Sequence, residues 1–223
     1  METDPTPHLE ASLRQDIERI RSRVREMARS VRQALVECSQ ALFERKGALA
    51  YAVILHDQKI DDLEQELDRL CLEFLVRQQP VAGALRFVYA TIKINQELER
   101  IGDYAESIAR ESLILNSLEI EYDYGDFQTL SEAAAKMLDR AIQAFLEEDS
   151  DLAWETLKED EASSTLRDKI NEDLVLLRER DKLPMEAMTS LMTVARRYER
   201  AANQAANICE EALYMCTGKF MKH

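Results

Sequence analysis

At 223 residues with 46% hydrophobic content, the chain can bury one sizeable core or two smaller ones, and a net charge of −14 opposes a nucleic-acid partner. Only 5 Gly and 4 Pro occur, with no Pro between Pro80 and Pro184, so the punctuation of an all-β fold is missing. The acidic start, Met1-Glu2-Thr3-Asp4, leads into no apolar run, and the most apolar stretch, Ala48 to Leu55, is too short to span a bilayer; a cytoplasmic protein without a transmembrane segment is expected.

Leu13, Ile17, Ile20, Val24, Met27, Val31 and Leu35 step by four and three, which predicts a first helix over about 9–45 with one apolar stripe. Lys46-Gly47 turns the chain, and Val53, Ile60, Leu63, Leu67, Leu70 and Phe74 form a second stripe ending near Gln79-Pro80. A third helix carries Ile94, Leu98, Ile101, Ala105, Ile108 and Leu115. At a 1.5 Å rise per residue each helix would be roughly 45 Å long or more, so short loops force antiparallel neighbours and an up-down-up bundle.

Glu121 to Asp126 shows no helical stripe and contains Gly125, which marks a boundary between units at 1–120 and 121–223. Beyond it, Leu130, Ala134, Met137, Leu138, Ile142 and Phe145 begin a second set of three helices, followed by Leu152 to Leu177 and Pro184 to Cys216. Pro184 at a helix start and Gly218 past a helix end fit the positional preferences of those residues. The second set repeats the first: Leu49-Ala50-Tyr51 lies over Leu152-Ala153-Trp154 at an offset of 103, and Glu97 to Asp103 over Arg197 to Asn203 at 100. The fold class is therefore all-α, two tandem three-helix bundles with six long helices.

Asp57 and Asp61 share one face of the second helix, with Asp57 within the stripe defined by Val53 and Ile60 and so expected to be partly desolvated, and Glu99 and Asp103 repeat that spacing on the third beside Leu98 and Ile101. Antiparallel packing would bring the four carboxylates together, and such a cluster needs protons or a hard cation rather than a Cys/His zinc site. With 43 acidic residues, about eight acidic i,i+4 pairs arise by chance, so spacing alone leaves solvated faces as the competing reading. His8, His56 and His223 complete no E-x-x-H pair, which disfavours oxygen chemistry, and His56 is expected as a hydrogen-bonded interior residue. No nucleotide-cradling loop or nucleophile elbow occurs, so no catalytic machinery is expected.

Glu97-Leu98-Glu99-Arg100-Ile101-Gly102-Asp103-Tyr104-Ala105-Glu106-Ser107-Ile108-Ala109 closely resembles the signature helix of the PhoU family of phosphate-signalling regulators. The counterpart ending in Ala206-Asn207-Ile208 and Thr217-Gly218-Lys219 is similar, and the resemblance covers essentially the whole chain. It implies a tandem bundle that acts as a negative regulator of phosphate uptake and of the phosphate-starvation response. The implied partners are a phosphate ABC transporter ATPase and a membrane sensor histidine kinase, and the implied assembly is a homodimer. In some members E/D-x-x-x-D motifs hold multinuclear iron or zinc, and Asp57, Asp61, Glu99 and Asp103 match those positions. In the second copy Ser164 replaces the partner of Asp160 and Asn203 that of Glu199, so any metal is expected mainly in the first. The alternatives are a metal-free helical adaptor and a metal-storage or metal-dependent carboxylate bundle.

Two further features stand apart from the resemblance. Seven Arg lie between Arg14 and Arg32, and Arg14, Arg21, Arg25 and Arg32 share a face that either docks an acidic partner surface or the cytoplasmic leaflet, or is a solvated face balanced by Asp16, Glu18 and Glu26. Cys38, Cys71, Cys209 and Cys216 lack C-x-x-C spacing and read as reduced, packed thiols.

Overall fold

The computed structural model describes residues 6–118 and 120–220. It is helical throughout these: α1 Thr6–Phe43, α2 Gly47–Gln78, α3 Ala82–Ser117, α4 Gly125–Glu147, α5 Ser150–Leu157, α6 Asp160–Glu179 and α7 Met185–Thr217. The tandem bundles are as expected, with one difference: the fifth predicted helix is divided into α5 and α6 at Lys158-Glu159. There the chain makes a turn, and Glu159 pairs with Lys136 at 3.0 Å and Arg140 at 3.5 Å on α4.

The ends follow local chemistry. α2 stops at Gln79, whose left-handed backbone (φ 45°) returns its N–H to the Leu75 carbonyl at 3.2 Å, with Pro80 next in line. Asp149 caps α5, its carboxylate accepting from the N–H groups of Asp151 and Leu152 at 3.0 and 2.9 Å. Pro184 precedes α7, and Gly218 closes it at φ 71°, a conformation that a glycine adopts without a Cβ penalty.

Within the first bundle α1 and α2 run antiparallel, as Asp16 with Gln78 at 2.6 Å and Arg23 with Glu66 at 3.1 Å show. Between bundles, α3 and α7 are also antiparallel: Arg86 donates to the Met215 carbonyl at 3.0 Å, Lys93 pairs with Glu211 at 2.7 Å and Arg197 donates to Ser107 at 3.0 Å. Ala90, Ala105 and Ala109 on α3, with Ala195, Ala202, Ala205 and Ala206 on α7, are buried, and such short side chains let helix axes approach closely. The buried apolar residues of both bundles form one continuous cluster, so the two repeats share a core.

The Arg-rich face of α1 is part of that junction. Arg32 meets Asp139 at 2.9 Å, and Arg21 pairs with Glu148 and donates to the Leu146 carbonyl at 3.3 Å. Of the acids expected to balance this face, Asp16 is instead engaged by Arg77 and Gln78 of α2, and Glu26 pairs with Arg23, which is not one of the four. Cys38, Cys71 and Cys209 are buried, and desolvation pushes each thiol up to about 12, so they are protonated packing groups.

Candidate functional site

The seam between α2 and α3 gathers the predicted carboxylates. α2 and α3 cross closely at Gly102, where an added Cβ would stand 3.0 Å from Ile60 Cδ1, 3.2 Å from Ile60 Cγ2 and 3.8 Å from Asp57 Oδ1. Glycine inside a helix costs about 1 kcal/mol relative to alanine, and here its missing side chain is what permits the approach.

Asp57 is half-buried, and its carboxyl is raised to about 6, chiefly by desolvation and then by Glu106, Asp61 and Asp103, against a lowering by Arg110. Glu99 is raised by desolvation, then by Asp103, Glu64 and Asp61, and Arg100 opposes the shift. Asp103 is more open to solvent, yet desolvation followed by Asp61 and Glu106 still raises it, with Arg197 opposing. The four predicted residues therefore act on one another across the seam.

The seam is longer than the sequence motif. Glu64, raised by desolvation and then by Asp68 and Asp61, continues the row on α2, and Glu106 continues it on α3. Asp57, Asp61, Glu64 and Asp68 step by four, three and four, the same rhythm as the apolar stripe, and that spacing was the signal available in the sequence. Asn95 is fully buried at the end of the row and donates its amide to the Glu64 carbonyl and to Asp68 Oδ1, both at 2.9 Å.

The donor set is all oxygen and its carboxylates raise one another, which suits a hard cation. Among the described residues, no three Asp, Glu, His or Cys side chains converge at ligation distance as placed, so holding an ion requires the carboxylates to turn inward. His56 is a correction: it is exposed rather than interior, lying with Ser30, Gln33, Glu37 and Lys59 on the outer surface between α1 and α2. The side chains of His8, Asp160 and His223 lie outside the described residues.

The corresponding seam of the second repeat, between α6 and α7, is built differently. Glu199 is 8% exposed, and its Oε1 accepts from Asn203 Nδ2 at 3.0 Å and Ser164 Oγ at 3.4 Å, with Arg167 Nη1 at 3.7 Å. Donors surround one carboxylate there, where in the first repeat carboxylates surround one another. These residues do not fit a cation site.

Comparison with known proteins is consistent along the whole chain. The model of the PhoU domain matches residues 24–112 and again 127–212. The chain is 31% identical over 208 residues to a protein of Aquifex aeolicus named "Phosphate-specific transport system accessory protein PhoU homolog", covering 93% of this chain and 94% of the relative. A Thermotoga maritima protein, "Phosphate-specific transport system accessory protein PhoU homolog 1", is 30% identical over 91% of this chain and 88% of its own length. The crystal structure of PhoU from Pseudomonas aeruginosa superimposes with a TM-score of 0.89 at 27% identity, covering 92% of this chain and 99% of that one.

Proposed function

The chain belongs to the PhoU family, and from that premise we propose that it is a non-catalytic accessory protein of a phosphate-specific transport system, repressing phosphate uptake and the phosphate-starvation response when phosphate is plentiful. The observation that carries the reading is the tandem PhoU match over both bundles. Residues 1–120 and 121–223 are taken as the two PhoU-like units. The protein would work in the cytoplasm by docking to the transporter ATPase and the sensor kinase; no helix among the described residues is long and apolar enough to cross a membrane. Deleting the gene is expected to derepress a phosphate-starvation reporter in high phosphate, and the intact chain to restore repression. Unchanged repression on deletion would sink the reading.

Within the same proposal, the first repeat holds iron, zinc or another divalent cation through Asp57, Asp61, Glu99 and Asp103. The bound ion would neutralise the seam and brace α2 against α3. The mutual repulsion of these acids supports this reading.

The protein is also proposed to be a homodimer, through the outward face of α2. Tyr51, Leu55, Gln58, Asp62, Gln65, Arg69, Leu72 and Val76 alternate by four and three and are all exposed, the four apolar ones by more than half. The order reads the same in chemical kind from either end: apolar pair, polar four, apolar pair. In an antiparallel two-fold pairing Tyr51 meets Val76 of the second copy and Leu55 meets Leu72, while the polar middle pairs with itself. The second repeat keeps only half of this stripe, with Trp154 and Val175 where Tyr51 and Leu72 stand but Lys158 and Glu179 where Leu55 and Val76 stand, so the fold itself does not demand all four apolar residues. Light scattering on a size-exclusion column is expected to give a dimer for the native chain and a folded monomer for Leu55→Glu/Leu72→Glu, which sets like charges opposite each other across the two-fold; a dimer that survives both changes would remove this interface.

A further inference from the structure

We infer that Arg167 takes, in the second repeat, the place a cation would take in the first, so that a fixed guanidinium holds the α6–α7 seam and leaves that repeat without a metal site. The register of the repeat supplies the first half of the argument. Adding 103 to the α2 positions and 100 to the α3 positions sets Asp57, Asp61, Glu64, Asp68, Glu99 and Asp103 against Asp160, Ser164, Arg167, Asn171, Glu199 and Asn203. Six carboxylates become two carboxylates, three neutral polar groups and one permanent cation. The loss of acid and the gain of base fall on the same face.

The geometry supplies the second half. Arg167 lies within the seam with its side chain 27% exposed, one arm toward Glu199 at 3.7 Å and the other on Asp168 at 2.8 Å. Its Nε is buried and has no hydrogen-bond partner, so the guanidinium is embedded in the seam and does not reach freely into solvent. Glu199 presents a nearly buried carboxylate oxygen toward which an amide N–H, a hydroxyl and this guanidinium all converge. Ser164 and Asn203 could offer a metal only neutral oxygens and only by giving up their hydrogen bonds to Glu199, Arg167 has no acceptor at all, and a divalent ion beside it would meet a like charge.

The consequence is an asymmetric molecule. The α6–α7 seam is complete in the presence of a chelator, whereas the α2–α3 seam still has carboxylates to neutralise, so any response to cations belongs to the first repeat alone. This goes beyond the proposed metal site of the first repeat and does not need it to be correct.

Thermal unfolding of the full chain in chelator tests it. Arg167→Met leaves Glu199 partly buried without its cation and is expected to lower the midpoint by about 3 to 6 °C. Arg167→Lys is expected to keep most of the native midpoint, and Arg167→Met/Glu199→Gln to recover much of the loss, because the unpaired charge is removed. A second arm reads metal directly: titration with Mn²⁺ is expected to show added binding in Ser164→Asp/Arg167→Glu/Asn203→Asp compared with the native chain. Two results would overturn the inference: an Arg167→Met loss that Glu199→Gln does not relieve, or metal that stays on Asp57→Ala/Asp103→Ala and leaves on Glu199→Gln. A native chain that binds no metal in either repeat removes only the first-repeat reading, and the Glu199→Gln rescue still decides the role of Arg167.

Discussion

The native chain purified without chelator is expected to retain metal, and Asp57→Ala/Asp103→Ala to lose it, together with the thermal shift on adding cation. At a cation concentration about a hundredfold above its dissociation constant, binding to the folded state alone contributes about 2.7 kcal/mol, roughly 5 to 10 °C in a chain of this size. The double variant should show neither the metal nor the shift, by elemental analysis and by calorimetry. Metal retained by the variant, or a native chain indifferent to cations, would rule the site out. The same carboxylates set a pH dependence in the metal-free protein. Asp57 titrates near 6 when folded, above an unfolded aspartate, so the folded state binds the extra proton. The resulting penalty is absent below about pH 4, grows as pH rises toward 6 and is complete above it. Asp57→Asn should therefore stabilise the metal-free protein at pH 7 by about 1 kcal/mol, allowing for solvent screening of a half-exposed group, and by nothing measurable at pH 4. Cation affinity should fall below pH 6, where protons compete for the same oxygens.

A bulky residue at position 102 is expected to damage both stability and the acidic seam. Gly102→Leu drives side-chain carbon into the space of Ile60, which is 3% exposed and whose branched Cγ2 cannot withdraw without a new rotamer. Overpacking of this kind costs about 1 to 3 kcal/mol, and the gain in helix propensity returns less than 1. α2 should be pushed away from α3 at Asp57, so the variant is expected to lose cation binding more than its loss of stability alone explains. The second repeat meets the same crossing with other side chains: Ala202 stands where Gly102 does, and Ser163 where Ile60 does. An unaltered unfolding midpoint in Gly102→Leu would show that the helices do not meet as closely as described.

The stripes of α1, α2, α3, α4 and α7 were legible because each is a run of core residues at helical spacing ended by Pro, Gly or a polar turn. The break between α5 and α6 was not. Leu157-Lys158-Glu159-Asp160 carries neither Gly nor Pro, and the interruption coincides with pairing of Glu159 to Lys136 and Arg140, more than a dozen residues away. The four seam acids were legible from their i,i+4 spacing and from the family resemblance, whereas Glu64 and Glu106 lie three residues beyond those pairs and carry no pairing signal that sets them apart from the many other acids of the chain. The Arg-rich face of α1 misled in another way: composition shows charge but not where it points, and Arg21 and Arg32 point at α4. His56 has the right phase, three residues after the buried Val53 and four before the buried Ile60, yet it is exposed in the groove beside Ser30, Gln33 and Glu37 of α1, which its spacing on α2 could not show.

The antiparallel contacts of α3 with α7, and of α1 with α4, are those that two identical bundles would make about a two-fold axis. Joined in one polypeptide, that pairing is no longer subject to concentration, and the two halves are free to differ. In a dimer of separate bundles every substitution lands twice, so an arginine in one acidic seam would be an arginine in both. Linkage permits Arg167 on one side and Glu64 at the corresponding position on the other, so a matched pair of bundles carries different chemistry in each half.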